Sequence, residues 1–350
     1  MAASLKDVAG RARVSIKTVS NVVNGHPSVR PETKARVQRA LDELGYRPNM
    51  SARQLRGGRS GIVALAVPEI SLPYFAELAE LIVAQATVRG WTVLIEATRG
   101  EREAERNAAE GIRSHLVDGT IVSPLTLRPG DVERRKEATP LVLLGERLTG
   151  FRADHVMIDN EAAARTATSH LVSELGRRRV AAIGAEPHIR DGTATPRLRG
   201  YRDALLRAGV PYDHELVVPV ERYHRGDGAA AMARLLDGHS LPDAVFCFND
   251  TLALGALRVL KQRGVRVPQD VALVGFDDIE DGRFATPALT TIAPDKQRIA
   301  ELAIGLLATR IDQTHTGGTR ADGAGAAQLR TVLADFALLI RESTVGRGAA

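Results

Sequence analysis

Lys17 and Asn21 stand four residues apart, with Ile16 just ahead of them. On a helix that spacing puts Lys17 and Asn21 on one face. A lysine there can donate to the O6 and N7 of guanine, an asparagine can pair with adenine, and an isoleucine can pack against a thymine methyl. The trio therefore has the chemistry to read base edges in a major groove. The plainer alternative is three side chains that merely face solvent. Val19 and Val23 weigh against it, because they mark the opposite face as the buried one.

The elements that must hold these residues are short. Leu5, Val8, Ala9 and Ala12 recur at helical spacing; after Val14, so do Ile16, Val19, Val22 and Val23. That pattern makes two helices joined by a tight turn. Ser4 is placed to cap the first, with Asp7 three residues on; Ser15 caps the second, which ends at Asn24-Gly25. A third helix starts at Pro31, where a missing N–H costs nothing, and runs through Ala35, Val37, Leu41 and Leu44 to Gly45. Such a tripod is an all-α helix-turn-helix head.

Charge separates the head from the rest. Residues 1–60 carry 12 lysines and arginines against 4 carboxylates, the remaining residues 35 against 38, and the whole chain is +5. A basic module suited to a polyanion is joined to a body that need not meet one. With 350 residues, 44% apolar and 25% charged, the chain has the composition of a folded protein of two or three units and not of a disordered one. One cysteine, Cys247, forms neither an internal disulfide nor a multi-thiolate metal site and points to a reducing compartment. The start, Met-Ala-Ala-Ser-Leu-Lys-Asp, has no apolar stretch of signal-peptide length, and nowhere do eighteen apolar residues run without a charge, so a cytoplasmic protein with no membrane partner is expected.

The run LKDVAGRARVSIKTVSNVVNG, continued by HPSVRPETKARVQRALDELGYRPNMSARQLRGGRSGIVAL, resembles the start of the LacI/GalR family of bacterial transcriptional repressors. The resemblance implies phosphate contacts from Ser4, Ser20, Asn24 and Thr33. It also implies a hinge helix within residues 47–60, between Pro48 and Gly57-Gly58, that pairs with its dimer mate in the minor groove. Leu55 matches the leucine that wedges into the central base step. Asn49 and Ala52 share its face, and Arg53, Arg56 and Arg59 lie near phosphates. About two turns of helix are too short to persist alone in water, so this segment is expected to order on DNA. Arg13 departs from the family, which usually has glycine in that turn; a positive φ there costs a residue with a side chain roughly 1 kcal/mol.

From Gly61 onward short apolar runs alternate with amphipathic helices, twice over, as in α/β folds with two doubly wound parallel sheets. Two such lobes facing one another make a cleft at the carboxyl ends of the strands. The motifs FNDTLALGAL (248–257), VGFDDIED (274–281), ALTTIAPDKQRIAELA (288–303) and LLIRESTV resemble the two-lobed, periplasmic-binding-protein-like effector domain of the same family. The resemblance assigns effector contacts to Tyr74 and Phe75 beside Pro73, and to Asp159, Arg197, Tyr223, Asn249 and Asp277. A sugar is the implied ligand class. Carboxylates and the asparagine accept from hydroxyls, Arg197 offers a planar fork of donors, and tyrosine rings stack on apolar sugar faces. Each has a plainer reading too. Asn249 can cap the helix near Thr251, Asp277 and Asp278 can cap the segment after them, and Arg197 can be an ordinary helix-start charge. Pro294 stands where the family often has a polar contact.

The expected organisation is a head at 1–46, a hinge at 47–60 and an effector domain at 61–345. Its first lobe spans about 61–160 plus 293–320, and its second about 161–292 plus 321–345. Residues 312–327 read as a flexible Gly/Ala/Thr-rich loop. Two heads on a two-fold axis match a palindromic operator, so a homodimer is expected; without leucine heptads at its end, a tetramer is not. Enzyme motifs such as G-x-S-x-G, H-E-x-x-H and the P-loop are missing, so neither catalysis nor a cofactor or metal is expected. A transport binding protein is the rival for the body, and an activator the rival for a repressor.

Overall fold

The computed structural model describes residues 3–23, 29–46, 59–111, 116–135, 139–145, 151–185, 192–238, 241–315 and 329–346. Asn24, Asn49, Ala52, Arg53, Leu55 and Arg56 lie outside them. The chain divides into two units, Met1–Ser60 and Gly61–Ala350.

In the first unit, α1 (Leu5–Ala12), α2 (Ile16–Val23) and α3 (Pro31–Glu43) enclose a core of Val8, Ala12, Val19, Val37 and Leu41, with Leu5, Val23 and Leu44 packed at its margin. Ala35, expected on the inner face, is exposed. The expected caps form. The Ser4 N–H donates to Asp7 Oδ2 (2.8 Å) and the Asp7 N–H to Ser4 Oγ (3.3 Å). The Ser4 hydroxyl also donates to Asp7 Oδ2 at 2.7 Å, and this bond foremost, with that from the Ser4 N–H, holds the Asp7 carboxyl below its ordinary range. Ser15 Oγ accepts from the Thr18 N–H at 3.1 Å. Between α1 and α2, Arg13 sits at φ 53° and ψ 50°, the left-handed conformation that glycine adopts without penalty. Arg11 and Glu43 pair across α1 and α3 at 2.6 Å.

The second unit holds two six-stranded sheets. The first comprises β1 (Ile62–Val67), β2 (Thr92–Ala97), β3 (Gly119–Val122), β4 (Leu141–Leu144), β5 (Asp154–Met157) and the late β11 (Thr331–Leu333), in the order β11-β5-β4-β3-β1-β2. The second comprises β6 (Val180–Ala185), β7 (Val217–Pro219), β8 (Ala244–Cys247), β9 (Ala272–Phe276), β10 (Thr290–Pro294) and β12 (Phe336–Leu339), in the order β12-β10-β9-β8-β6-β7. All pairings are parallel except β10 with β12. Strands such as β6 and β8 are buried throughout, as helices on both faces of a parallel sheet require. Two helix pairs in the second lobe approach so closely that only glycine fits. A Cβ on Gly200 would lie 2.1 Å from the Glu161 carbonyl, and one on Gly255 1.9 Å from that of Arg225.

Three crossings join the lobes: from β5 into the helix Asn160–Ser169, from β10 into the helix Lys296–His315, and from β11 to β12 through Ala334-Asp335. The expectation that everything from about 321 belongs to the second lobe is therefore corrected, because β11 pairs with β5 of the first. The stretch expected to be a loop from 312 is helical as far as His315. β5 escapes a reading based on apolar runs because Asp154 and His155 interrupt it. Both are buried, and Asp154 accepts two bonds from Arg310, at 2.6 and 2.7 Å. Among the described residues no helix is long and apolar enough to cross a membrane.

Candidate functional site

On the head, Ile16 is 43% exposed, Lys17 is exposed and Asn21 half-buried, all on α2. Neither Lys17 nor Asn21 spends its side chain on a hydrogen bond or ion pair with another described residue. Thr33 is half-buried in the first turn of α3, Ser20 half-buried on α2, and Ser4 caps α1. The structure thus places the expected base-reading trio on one accessible helix.

In the second unit, a cavity of about 760 Å³ lies between the lobes at the carboxyl ends of the strands. Tyr74, Phe75, Arg197, Tyr223, Asn249 and Asp277 all line it. Tyr74 and Phe75 meet edge to face, 5.2 Å between centroids. Asp159 does not line it. It is exposed and caps the following helix, accepting from the Ala162 N–H at 2.9 Å, while its buried neighbour Asn160 faces the cavity instead. Pro294 forms part of the wall.

Arg197 is 7% exposed, and its surroundings offset the cost of burying a cation. Nε donates to Asn160 Oδ1 at 2.8 Å, Nη1 donates to the Phe248 carbonyl, and the guanidinium lies 3.5 Å over the Phe276 ring. The reading of Arg197 as a plain helix-start charge fails on that burial. Asn249 does cap its helix, accepting from the Leu252 N–H at 2.8 Å, and it also fixes the cavity wall by donating to the Tyr223 carbonyl at 3.2 Å. The Tyr223 hydroxyl donates to the Gly184 carbonyl at 2.7 Å, which leaves its ring to face the cavity.

Asp277 is the chemically distinctive group. It is 8% exposed and holds a φ of 110°, a region disfavoured for residues with side chains. The surrounding turn enforces this conformation. The Asp277 N–H donates to the Ile292 carbonyl at 2.8 Å, and Lys296 Nζ donates to the carbonyls of Asp277 and Asp278, each at 3.0 Å. Beneath the turn, Asp250 accepts from the Ile279 N–H at 3.0 Å and from Thr291 Oγ1 at 2.7 Å. Burial, reinforced by the charge of Asp277, pushes the Asp250 carboxyl well above its usual range. Asp278 pairs with Arg283 and Arg341, each at 2.6 Å. The Asp277 carboxylate itself accepts no hydrogen bond from any described residue. Burial pushes it up to about 7; Arg197 and Lys296 pull it partly back, and Glu77 pushes it further. A buried acceptor without a donor suits a ligand that brings hydroxyl or amine hydrogens.

Sequence reasoning misses Asn160, Phe276 and Asp250, as well as Glu105. Glu105 is fully buried on the helix Arg102–Glu110 and accepts from three successive amides, Leu125, Thr126 and Leu127, at 2.8–2.9 Å. It thereby fixes a loop whose Leu125 and Thr126 form part of the first lobe's wall of the cavity. A lone glutamate in a charged helix gives no sequence signal for that role.

The fold and site define a two-lobed ligand clamp attached to a helix-turn-helix head. Comparison with known proteins agrees. A model of bacterial regulatory proteins of the lacI family matches residues 4–49, and one of a periplasmic binding protein-like domain matches residues 168–344. The HTH-type transcriptional repressor CytR of Escherichia coli (strain K12) is 34% identical over 351 residues, spanning 98% of this chain and 96% of that one. Among solved structures, a transcriptional regulator CelR–cellobiose complex is 33% identical, covers 97% of this chain and 99% of its own, and has a TM-score of 0.69. The Lac repressor dimer bound to operator and the anti-inducer ONPF is 27% identical, with 99% and 100% coverage and a TM-score of 0.80. The chain belongs to the lacI family of bacterial regulatory proteins.

Proposed function

We propose that this protein is a transcriptional repressor that binds a palindromic operator as a homodimer and is controlled by a small molecule, a carbohydrate, held between its lobes. It is not an enzyme on this reading, and its parts are those of a switch. The observation that carries the proposal is the union in one chain of a helix bearing exposed Ile16 and Lys17 and half-buried Asn21 and a cleft lined by the undonated carboxylate of Asp277. The repressor relative, the operator-bound dimeric relative and the cellobiose-bound relative support the same reading.

Lys17 and Asn21 carry direct readout, and Ser4, Ser20 and Thr33 position the head on phosphates without specifying sequence. Asn24 joins them in that role. Asn49, Ala52 and Leu55 act in the minor groove, where a leucine wedge kinks the duplex by unstacking a base step at a cost of about 2–4 kcal/mol. In the cleft, Asp277 and Asn249 accept from ligand hydroxyls, Arg197 donates, and Tyr74, Phe75 and Tyr223 supply apolar faces. A ligand changes operator affinity only by the difference in its affinity for the two closure states.

The test selects operator DNA from a random duplex pool with the purified full chain, then measures affinity by fluorescence anisotropy with and without a panel of mono- and disaccharides and nucleosides. The proposal expects a palindromic site, a steep fall in affinity with salt, and a response to at least one carbohydrate. No enriched palindrome would end the repressor reading. A palindrome bound equally with every carbohydrate, but differently with a nucleoside, would end the carbohydrate assignment.

A further inference from the structure

The three crossings leave both sheets on the same side. β5 and β11 form one edge of the first sheet, and β10 and β12 the corresponding edge of the second. The far edges are β1-β2 and β6-β7. The loop after β1 carries Glu69, and the loop after β7 carries His224. His224 Nε2 and Glu69 Oε2 meet at 2.8 Å, joining the first lobe to the second on the side away from the crossings. Other bonds between lobes lie nearer the crossings: Glu77 accepts from the Glu280 N–H at 3.1 Å, and Lys296 Nζ donates to the carbonyls of Asp277 and Asp278.

We propose that Glu69 and His224 form a clasp that holds the cleft closed opposite its hinge. Both side chains are about one-third exposed, so neither serves the core. The loop presenting His224 is fixed: the carbonyl of Tyr223, its neighbour, accepts from Asn249 Nδ2 and Thr251 Oγ1, and the Tyr223 hydroxyl is bonded to Gly184. Glu69 and Tyr223, the neighbour of His224, both line the cavity, so the clasp sits at its margin. A contact of this kind contributes little to the stability of a single lobe. Placed across a hinge, it acts wholly on the balance between open and closed. This inference does not depend on which ligand or operator the protein binds.

The test is a distance measurement by pulsed electron paramagnetic resonance on the full chain, spin-labelled at Val88→Cys and Leu206→Cys and diluted into excess unlabelled chain. Those positions are 86% and 79% exposed, one on each lobe. The native Cys247 is buried with its thiol pushed up by that burial, and so escapes labelling. Glu69→Ala and His224→Ala are each expected to lower the closed-to-open ratio about two- to fivefold. The double variant should open no further than either single one, and the exchange of the pair, Glu69→His with His224→Glu, should restore closure. Unchanged distances in the single variants would overturn the clasp. So would additive opening in the double variant, because the two residues would then act independently.

Discussion

Replacing Asp277 by asparagine removes a charge that the folded protein holds at a cost. In an unfolded chain an aspartate titrates near about 3.9. In the cleft, burial carries the group up to about 7 despite Arg197 and Lys296, with Glu77 adding repulsion. The folded state therefore binds the proton more tightly, and the associated stability is complete below the unfolded pKa and lost as pH rises through about 7. At roughly 1.36 kcal/mol per unit, a shift of about three units corresponds to about 4 kcal/mol. Asparagine stands in for the protonated acid and escapes the penalty. The stability gap between Asp277→Asn and the native protein should be small near about pH 4 and widen to about 4 kcal/mol by about pH 8. Urea unfolding of the full chain across that range, followed through the transition of the effector unit, measures it. A gap that stays constant or narrows with rising pH would refute the reasoning. Asp278 supplies the contrast. Burial works against its ionised form, but the bonds from Arg283 and Arg341 outweigh it and hold the carboxyl low. Asp278→Asn should destabilise, with a loss that is largest above the ordinary carboxylate range and fades in acid.

Arg13→Gly should relieve the left-handed turn between α1 and α2. An αL penalty of about 1–2 kcal/mol, less about 0.4–1 kcal/mol for the freer unfolded chain, leaves a gain of about 0.5–1 kcal/mol. Amide hydrogen exchange in α1 should slow about two- to fivefold, whereas Arg13→Ala, with the same strained φ, should show no such gain. Asn160→Ala should weaken binding of the effector found in the panel about tenfold or more by freeing Arg197, while Asp159→Ala should only fray a helix start, at about 1 kcal/mol; calorimetric titration of both separates the roles. Asn21→Ala should relax preference at one base pair by about 1–3 kcal/mol, whereas Thr33→Ala should weaken all sequences alike; anisotropy on operator variants reads the difference.

The head was legible because its signals are local. A capping serine, an aspartate three residues on and valines at helical spacing specify α1 and α2 without tertiary help, and Ser4, Asp7 and Ser15 make the bonds their types suggest. The doubly wound pattern was equally readable where strands are apolar throughout. It failed at β5, whose buried Asp154 is balanced by an arginine about 150 residues away in sequence, on the helix that packs over that sheet. The site divides the same way. Arg197, Asn249 and Asp277 stand out by residue type beside recognisable motifs, but the choice between Asp159 and Asn160 turns on one residue of helix phase. A cap and a cavity wall there look alike in sequence. Asp250 and Glu105 are silent because their partners are backbone amides, which every sequence has, and single threonine hydroxyls far off in sequence.

The turn at 277–279 explains how ligand chemistry reaches both lobes. Lys296, on a helix packed against the first lobe, donates to the carbonyls of Asp277 and Asp278 in the second. The same ammonium pairs with Glu77 of the first lobe, whose other oxygen accepts from the Glu280 N–H. The charge on Asp277 is attracted by Lys296 and repelled by Glu77, so its ionisation weighs on this junction as well as on the cavity. A ligand that donates to Asp277 stabilises the ionised form and changes that weight. The effect on closure then depends on how well the donors fit in each arrangement of the lobes, since equal fit to both would leave the equilibrium where it stood. A rigid polyol too short to reach from Asp277 to the wall fixed by Glu105 would bind one lobe and shift nothing, whereas one that spans both must favour the closure in which its two ends are met together.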